Sequence, residues 1–357
     1  MDAVMLVGGK GTRLRPLTMS APKPMLPVAG VPVTAHMLAR ARDAGIDRVV
    51  LATSYKAEVF EEYFGDGSAL GLELAYVTET EPLGTGGAIR NVAGFLRCGP
   101  DDPVVIFNGD ILSGLDIQAL IARHTDSGAA VTLHLTEVED PRAFGVVPTD
   151  EHGRVTEFLE KTLEPPTNLI NAGCYVFRRS VIDDIPAGRP VSVERETFPG
   201  LLAAGVPIVA YPDSTYWLDL GTPAAFVRGS RDLVQGRIAS SALPGPVGEA
   251  LVLDGATVAA DAKLCGGATI GAGAAVGGGA TVDGAVLFDG AAVGCGAVVR
   301  DSVVGRDAVI CDGVVLDDVV VGDGARIEAG NELRAGVRVF PGSILPSGCV
   351  RFSSDQS

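Results

Sequence analysis

Short apolar runs alternate with amphipathic segments over the first 236 residues. Four apolar runs predict buried strands, at residues 3–7, 49–52, 72–77 and 104–107. Between them, helical spacing of apolar residues predicts helices over residues 32–44, 57–64 and 117–124. Strands that alternate with helices build a Rossmann-like, mostly parallel sheet covered by helices, which is an α/β domain. Ligands are then expected at the carboxyl ends of the strands.

After residue 248 the pattern changes to one aliphatic residue at about every sixth position. The predicted inward positions are Val252, Val258, Leu264, Ile270, Val276 and Val282, then Val321, Ile327, Leu333, Val339 and Leu345. This period predicts a left-handed parallel β-helix, in which each aliphatic side chain stacks on its equivalent in the next coil. Residues 282–298, 299–315 and 316–332 align as 17-residue coils, each one residue short. A β-sandwich is the alternative, but its strands alternate at period two.

The change of pattern predicts the domain organisation. Residues 1–236 form the α/β domain, residues 237–248 are a linker that contains Pro244 and Pro246, and residues 249–357 form the β-helix. A β-helix of this kind is expected to pack and to assemble the chain into a homo-oligomer, since its final coil offers an unpaired face.

Composition narrows the function. With 47% hydrophobic and 20% charged residues the chain is not disordered, and no apolar run approaches the roughly 20 residues of a membrane span. The start lacks a secretory signal pattern, so we expect a cytoplasmic protein. The net charge of −16 argues against nucleic acid as a partner. Residues 1–42 nevertheless contain one acid, Asp2, and six basic residues: Lys10, Arg13, Arg15, Lys23, Arg40 and Arg42.

This basic region contains a glycine-rich turn that directly follows the first predicted strand. Residues 6–18 read LVGGKGTRLRPLT, and residues 22–27 read PKPMLP. Gly8, Gly9 and Gly11 allow backbone N–H groups to approach phosphate oxygens, while Arg13 and Lys23 supply positive charge. Neither the GxGxxG nor the GxxxxGK[ST] spacing is present, which excludes the two commonest nucleotide-binding turns.

With these motifs the chain resembles the nucleoside-diphosphate-sugar pyrophosphorylases, and most closely the bacterial mannose-1-phosphate guanylyltransferases, over nearly its whole length. In that family the GGxGTRLxPLT turn wraps the triphosphate. The resemblance implies that Gly8, Gly9, Gly11 and Thr12 bind the nucleotide and that Arg13 and Lys23 are catalytic. It implies GTP and mannose 1-phosphate as substrates, which form GDP-mannose and pyrophosphate by direct in-line attack at the α-phosphorus.

A second motif, TETEPLGTGGA at residues 78–88, corresponds to the family's base pocket. The resemblance implies that Gly84 lets the backbone reach the base and that Glu79 stands where uridylyl and thymidylyl relatives carry glutamine. A carboxylate only accepts hydrogen bonds, and guanine offers adjacent N1–H and N2–H donors. Such a pair is worth ~1–3 kcal/mol of base discrimination. Glu81 is a neighbouring candidate for the same role.

Two aspartates are candidate metal ligands. Asp110 follows the apolar strand at residues 104–107, and Asp219 precedes Thr222-Pro223, which predicts the N-cap of a helix. Two carboxylates together with phosphate oxygens suit Mg²⁺. The family pairs its aspartates in this way, so the resemblance implies Mg²⁺ held by Asp110 and Asp219.

The sugar phosphate site is also implied by resemblance. Residues 158–161 read FLEK and residues 171–173 read NAG, as in the family. They assign Lys161 to the phosphate and Glu160 and Asn171 to sugar hydroxyls, with Gly145 along the sugar. The family usually has a proline after the lysine, where this chain has Thr162, which leaves the path of that loop open. Glu194 is a weaker candidate for a sugar contact.

Other functions remain as alternatives. Acyltransferases with this β-helix depend on a histidine base, but His36, His124, His134 and His152 all precede the β-helix. A non-catalytic sensor of the same fold is expected to lack the charged site residues that this chain keeps. Within the family, the alternatives are enzymes that use glucose 1-phosphate or a valienol-type cyclitol phosphate, including ADP-glucose producers.

Overall fold

The computed structural model describes residues 1–54 and 56–351. These residues form two compact units. The first consists of residues 1–9 and 37–217, and the second consists of residues 10–36 with the described part of 218–357. The basic, glycine-rich segment is thus divided after Gly9, and most of it belongs to the second unit. The division into domains at residues 236 and 249 stays a prediction.

The strands before the β-helix are β1 (Asp2–Leu6), β2 (Pro27–Val28), β3 (Val31–Pro32), β4 (Arg48–Thr53), β5 (Glu73–Thr78), β6 (Pro103–Asn108), β7 (Ile111–Ser113), β8 (Val131–Glu137), β9 (Gly145–Val146), β10 (Leu159–Glu160), β11 (Leu169–Arg178), β12 (Ile208–Pro212) and β13 (Trp217–Asp219). The helices are α1 (Val33–Asp43), α2 (Glu58–Phe64), α3 (Gly84–Asn91), α4 (Ile117–Ser127), α5 (Arg179–Asp184), α6 (Phe198–Ala203) and α7 (Pro223–Val234). A search of the described residues found no helix with the length and apolar character of a bilayer span.

The first unit is built on a single mixed sheet with the order β10-β9-β11-β6-β1-β4-β5, to which β8 and β12 add beyond β11. Strand β1 lies between β6 and β4 and is parallel to both. The central strands consist of aliphatic residues because both of their faces are covered, and Val4, Val50 and Ile106 are fully buried. The predicted mostly parallel α/β sheet is confirmed. Strand β11 is antiparallel to β6 and β8, a feature that was not predicted.

The β-helix of the second unit has three faces of parallel strands. In chain order its strands are β14 (Ala250–Val252), β15 (Thr257–Val258), β16 (Lys263–Cys265), β17 (Ala268–Ile270), β18 (Ala275–Val276), β19 (Thr281–Asp283), β20 (Val286–Leu287), β21 (Ala292–Val293), β22 (Val298–Arg300), β23 (Val303–Val304), β24 (Val309–Ile310), β25 (Val315–Asp317), β26 (Val320–Val321), β27 (Arg326–Ile327), β28 (Glu332–Arg334), β29 (Arg338–Val339) and β30 (Ile344–Leu345). Every third strand belongs to the same sheet, as a three-sided coil requires.

The register of this β-helix follows the sequence repeat. Leu287 pairs with Val304 and Val304 with Val321, which are steps of 17 residues, whereas Val321 pairs with Val339, a step of 18. Equivalent aliphatic residues therefore lie above one another, and the predicted fold is confirmed. One of the predicted inward positions is wrong. Val252 is 45% exposed, because it lies in the first coil and no earlier coil covers it.

Candidate functional site

Arg13, Lys23 and Asp219 meet in the second unit. Lys23 Nζ lies 3.5 Å from Asp219 Oδ1, and Arg13 Nη2 lies 3.9 Å from Asp219 Oδ2. The Lys23 side chain is 11% exposed, whereas that of Arg13 is 66% exposed. The structure therefore brings both predicted catalytic cations to one predicted metal ligand. One cation is held in place by its surroundings, and the other remains open to an incoming anion.

The glycine-rich turn packs directly on Lys23. Gly11 has a φ of 54°, and a Cβ there would lie 2.9 Å from the Lys23 Cβ. The Thr18 hydroxyl donates to the Gly11 carbonyl at 2.9 Å, and Thr12 opens a short 3₁₀ turn that carries Arg13. Glycine is required at position 11 both for its backbone conformation and for this close approach.

Gly221 is a site residue that the sequence analysis did not assign. A Cβ at Gly221 would lie 2.5 Å from Arg13 Nη2 and 3.0 Å from Asp219 Oδ1, so a side chain at this position would displace the Arg13 guanidinium from its present place beside Asp219. The Thr222 side chain accepts from the Ala225 N–H, and Pro223 opens α7, as predicted. The WLDLGT motif thus supplies a carboxylate, the space beside it and a helix start.

In the first unit, Gly8 and Gly9 lie directly after β1 and contact Ser54. The Gly9 N–H donates to Ser54 Oγ at 3.1 Å, and Gly9 has a φ of 106°. A Cβ at Gly8 would lie 3.0 Å from the same hydroxyl. Ser54 therefore holds the beginning of the turn, a role that no local sequence signal indicates.

Glu79 is half-buried and accepts a hydrogen bond at Oε2 from the Leu83 N–H, at 3.0 Å. Burial raises the pKa of Glu79, and the Leu83 hydrogen bond opposes that shift. Glu81 is exposed. Gly84 has a φ of 68°, and a Cβ there would lie 2.6 Å from the Val191 carbonyl oxygen, so close backbone packing accounts for this glycine.

Asp110 follows the carboxyl end of β6 in a turn that packs on β1. The Gly109 N–H donates to the Leu6 carbonyl at 2.9 Å, and a Cβ at Gly109 would lie 2.5 Å from that oxygen. Asp110 is half-buried. Across residues 1–54 and 56–351, no three His, Cys, Asp or Glu side chains are grouped as a metal cage. Magnesium sites do not require such a cage, since the ion usually takes one or two protein carboxylates and completes its shell with substrate phosphates and water.

The predicted sugar phosphate residues form a small cluster in the first unit. Gly145 on β9 pairs with Glu160 on β10, and a Cβ at Gly145 would lie 2.9 Å from the Phe158 ring. Lys161 has a φ of 55°, and its N–H donates to the Phe144 carbonyl at 3.1 Å. Lys161 Nζ lies 3.6 Å from Glu160 Oε1. The cluster therefore places the side-chain-free backbone of Gly145, the carboxylate of Glu160 and the exposed ammonium of Lys161 next to one another.

Asn171 lies at a β-bulge in β11, where the register with β8 shifts between Asn171 and Tyr175. Its Nδ2 donates to the Tyr175 hydroxyl at 2.8 Å, and its Oδ1 accepts from the Gly173 N–H at 3.2 Å. Trp217 Nε1 donates to the Ala172 carbonyl at 2.9 Å. These contacts fix the orientation of the Asn171 amide.

The weaker candidate, Glu194, is engaged by its neighbours. Its Oε2 accepts from the Thr85 hydroxyl at 2.9 Å and from the Ser192 hydroxyl at 2.6 Å. These two bonds join α3 to the turn before α6, which gives Glu194 a structural role in this part of the first unit.

Comparisons with known proteins show the family of the chain. Residues 2–236 match the family model described as Nucleotidyl transferase, and residues 246–349 match the GMPPB C-terminal domain. The chain is 63% identical to the mannose-1-phosphate guanylyltransferase of Mycobacterium tuberculosis over 268 residues, which cover 75% of this chain and 74% of that protein. It is 37% identical to mannose-1-phosphate guanylyltransferase 1 of Arabidopsis thaliana over 266 residues, 72% and 73% of the two chains.

A solved structure is also similar. The crystal structure of HddC from Yersinia pseudotuberculosis complexed with GMP-PN superposes with a TM-score of 0.56 and 28% identity. The match covers 65% of this chain and 98% of that chain. The residues that match the Nucleotidyl transferase model include all of the candidate site residues.

Proposed function

The chain belongs to the nucleotidyl transferase family and, within it, to the mannose-1-phosphate guanylyltransferases, and from this premise we propose that it forms GDP-mannose and pyrophosphate from GTP and mannose 1-phosphate. The observation that carries the proposal is the convergence of Arg13 and Lys23 on Asp219, beside the glycine-rich turn. A phosphate oxygen of the sugar phosphate attacks the α-phosphorus of GTP. The bond from that phosphorus to the bridging oxygen breaks, and pyrophosphate leaves with the electron pair.

The chain's own contribution is position and charge. A sugar phosphate is already ionised at pH 7, so no protein nucleophile or general base is required. The exposed Arg13 and the buried Lys23 balance negative charge on the triphosphate, and they do so most effectively when charge moves to the leaving pyrophosphate. Lys161 is proposed to balance the sugar phosphate, while Glu160 and Asn171 accept or donate at the sugar hydroxyls.

We propose Asp110 and Asp219 as ligands of magnesium. Their carboxylate oxygens are the hard donors that this ion prefers, and their number leaves coordination positions for phosphate oxygens. When bound, magnesium neutralises part of the triphosphate charge and orients it. Asp219 has a second task in the chain itself, because it holds Lys23 and Arg13 through their ion pairs.

The test of the proposal is the pyrophosphate released from a grid of four nucleotides and several sugar 1-phosphates. We expect the highest kcat/KM with GTP and mannose 1-phosphate. A higher kcat/KM with glucose 1-phosphate or with a valienol-type phosphate would show that the enzyme uses that phosphate instead of mannose 1-phosphate. A higher kcat/KM with ATP would show that it uses adenine instead of guanine. Absence of pyrophosphate release with every pair would contradict a nucleotidyltransferase.

We propose that Glu79 reads the guanine base, and we expect Glu79→Gln to lower kcat/KM for GTP by about 5- to 150-fold, the equivalent of ~1–3 kcal/mol. The amide presents a donor where guanine needs a second acceptor. Because burial raises the pKa of Glu79, the carboxylate is lost at a higher pH than for an ordinary glutamate. The kcat/KM for GTP in the unmodified enzyme should therefore fall as the pH is lowered, whereas that of Glu79→Gln should not follow this titration.

Glu81→Gln is the matched control, since Glu81 lies two residues away and is exposed. It should keep the GTP preference of the unmodified enzyme. If Glu81→Gln weakens GTP use and Glu79→Gln does not, then Glu81 reads the base.

We further propose a homo-oligomer assembled through the β-helix. Phe340 and Ile344, in its last described coils, are 51% and 67% exposed, although both are apolar. Exposed apolar residues near the open end of a solenoid favour an interface. We propose that the reaction takes place in the cytoplasm, and, because the chain has a net charge of −16, we propose no nucleic acid or membrane as a partner.

A further inference from the structure

Arg338 connects the end of the β-helix to the glycine-rich turn. It lies on β29, and its Nη1 donates hydrogen bonds to the carbonyl oxygens of Arg13 at 2.8 Å and of Arg15 at 2.7 Å. We infer that Arg338 is a positioning residue for nucleotidyl transfer, which fixes the backbone of the turn so that the Arg13 side chain meets the triphosphate. The inference rests on the proposed function of that turn.

The two carbonyl groups accept hydrogen bonds from Arg338 and, within the described residues, not from the backbone. A continued 3₁₀ turn would satisfy the Arg13 carbonyl with the N–H of the third residue along, but that residue is Pro16, which has none. In the part of the chain that the structure describes, no backbone N–H donates to either the Arg13 or the Arg15 carbonyl. A guanidinium supplies both bonds from one nitrogen and carries a charge that strengthens them.

The backbone position of Arg13 decides where its guanidinium lies. Arg13 Nη2 is 3.9 Å from Asp219 Oδ2, and it passes so close to Gly221 that a Cβ there would lie 2.5 Å away. A shift of the Arg13 backbone therefore moves the guanidinium relative to both Asp219 and Gly221. Misplacement of a charged group by about 1 Å can lower a rate by ~10²-fold.

The segment that carries the turn is held at a second point through α7, which in turn contacts the β-helix. The Ala29 N–H donates to Ser230 Oγ at 3.0 Å, and Ser230 Oγ is 3.0 Å from Thr269 Oγ1 on β17. Ser230 and Thr269 are buried, and Arg338 is exposed. The buried contact explains how the segment is anchored in the fold, which leaves the exposed Arg338 bonds with a local effect on the turn.

The experiment compares Arg338→Ala with Arg326→Ala. Arg326 is the matched control because it is an exposed β-helix arginine, on β27, whose guanidinium bonds Glu328 instead. We expect Arg338→Ala to lower kcat by ~10- to 100-fold with little change in KM for mannose 1-phosphate, since the loss falls on transition-state stabilisation. Both variants should unfold at the urea midpoint of the unmodified protein, because both positions are exposed.

Two further readouts separate positioning from general stability. Millimolar guanidinium chloride should restore part of the kcat of Arg338→Ala and none in Arg326→Ala, and Arg338→Lys should fall between Arg338→Ala and the unmodified enzyme. An Arg338→Ala enzyme within twofold of Arg326→Ala overturns the inference, and so does a loss that guanidinium and Arg338→Lys leave unchanged. If the unmodified protein itself releases no pyrophosphate, the proposed function fails instead.

Discussion

Replacing Lys23 by alanine is expected to lower kcat by ~10²–10³-fold, the usual effect of removing one preorganised group that stabilises developing charge. The Lys23 side chain is 11% exposed, and its ammonium lies 3.5 Å from Asp219 Oδ1; water that filled the space left by alanine would carry no charge. The loss should appear in kcat more than in KM, because charge on the leaving pyrophosphate grows only as the bond breaks. Steady-state rates of pyrophosphate release measure this effect.

The control for Lys23→Ala is Lys263→Ala, which removes an exposed lysine from β16 of the β-helix. Lys263→Ala should keep the kcat of the unmodified enzyme. If Lys23→Ala turns over at a near-normal rate, then Lys23 has no catalytic role and the charge-balancing mechanism is wrong.

The central strands could be predicted because the chain buries them on both faces. β1, β4 and β6 read as uninterrupted apolar runs, and each of their predicted ends lies one residue from the end in the structure. β8 was missed because polar residues interrupt its apolar pattern. It contains Thr132 and His134, which are buried although they are polar, and the Thr132 hydroxyl is 3.0 Å from His124 Nδ1. A polar residue that finds its partner in the fold has no signature in a hydropathy pattern.

The antiparallel course of β11 depends on information that no single segment carries. This strand pairs with β6 on one side and β8 on the other, and it changes register at the Asn171 bulge. Pairing between distant segments is set by the packing of both, so sequence indicated the NAG motif without its geometry. Strand pairing in the β-helix could be predicted, because each coil repeats the one before it and the register follows from the period of the repeat.

The sequence predicted which residues belong to the site, but only the structure shows how they are arranged. The motifs named Arg13, Lys23 and Asp219, but their mutual distances follow from how residues 10–36 pack against Asp219 within the second unit. Arg338 had no signal, since several exposed arginines occupy similar positions in the repeat. Its hydrogen bonds to the Arg13 and Arg15 carbonyls distinguish it, and these join residues more than 300 positions apart, so only the structure shows them.

Replacing Asp219 by asparagine is expected to lower kcat by about 10²-fold or more and to raise the magnesium concentration that gives half-maximal activity. The change removes one charge from a group that faces Lys23 and Arg13, so the two cations are no longer balanced when the triphosphate is absent. If Asp219 is a metal ligand, its loss shifts the dependence of activity on magnesium concentration. If Asp219 only anchors the two cations, its loss lowers kcat without that shift. Activity measured over a range of magnesium concentrations therefore decides between them.

Asp126→Asn, in the exposed last turn of α4, is the matched control and should leave both kcat and the magnesium titration unchanged. If Asp219→Asn lowers kcat while its half-saturating magnesium concentration stays at that of the control, Asp219 acts only by holding Lys23 and Arg13, and the proposed metal role is wrong. A rightward shift of the titration, with a rate that excess magnesium partly restores, is the result expected of a ligand, because an amide oxygen still coordinates but without the charge.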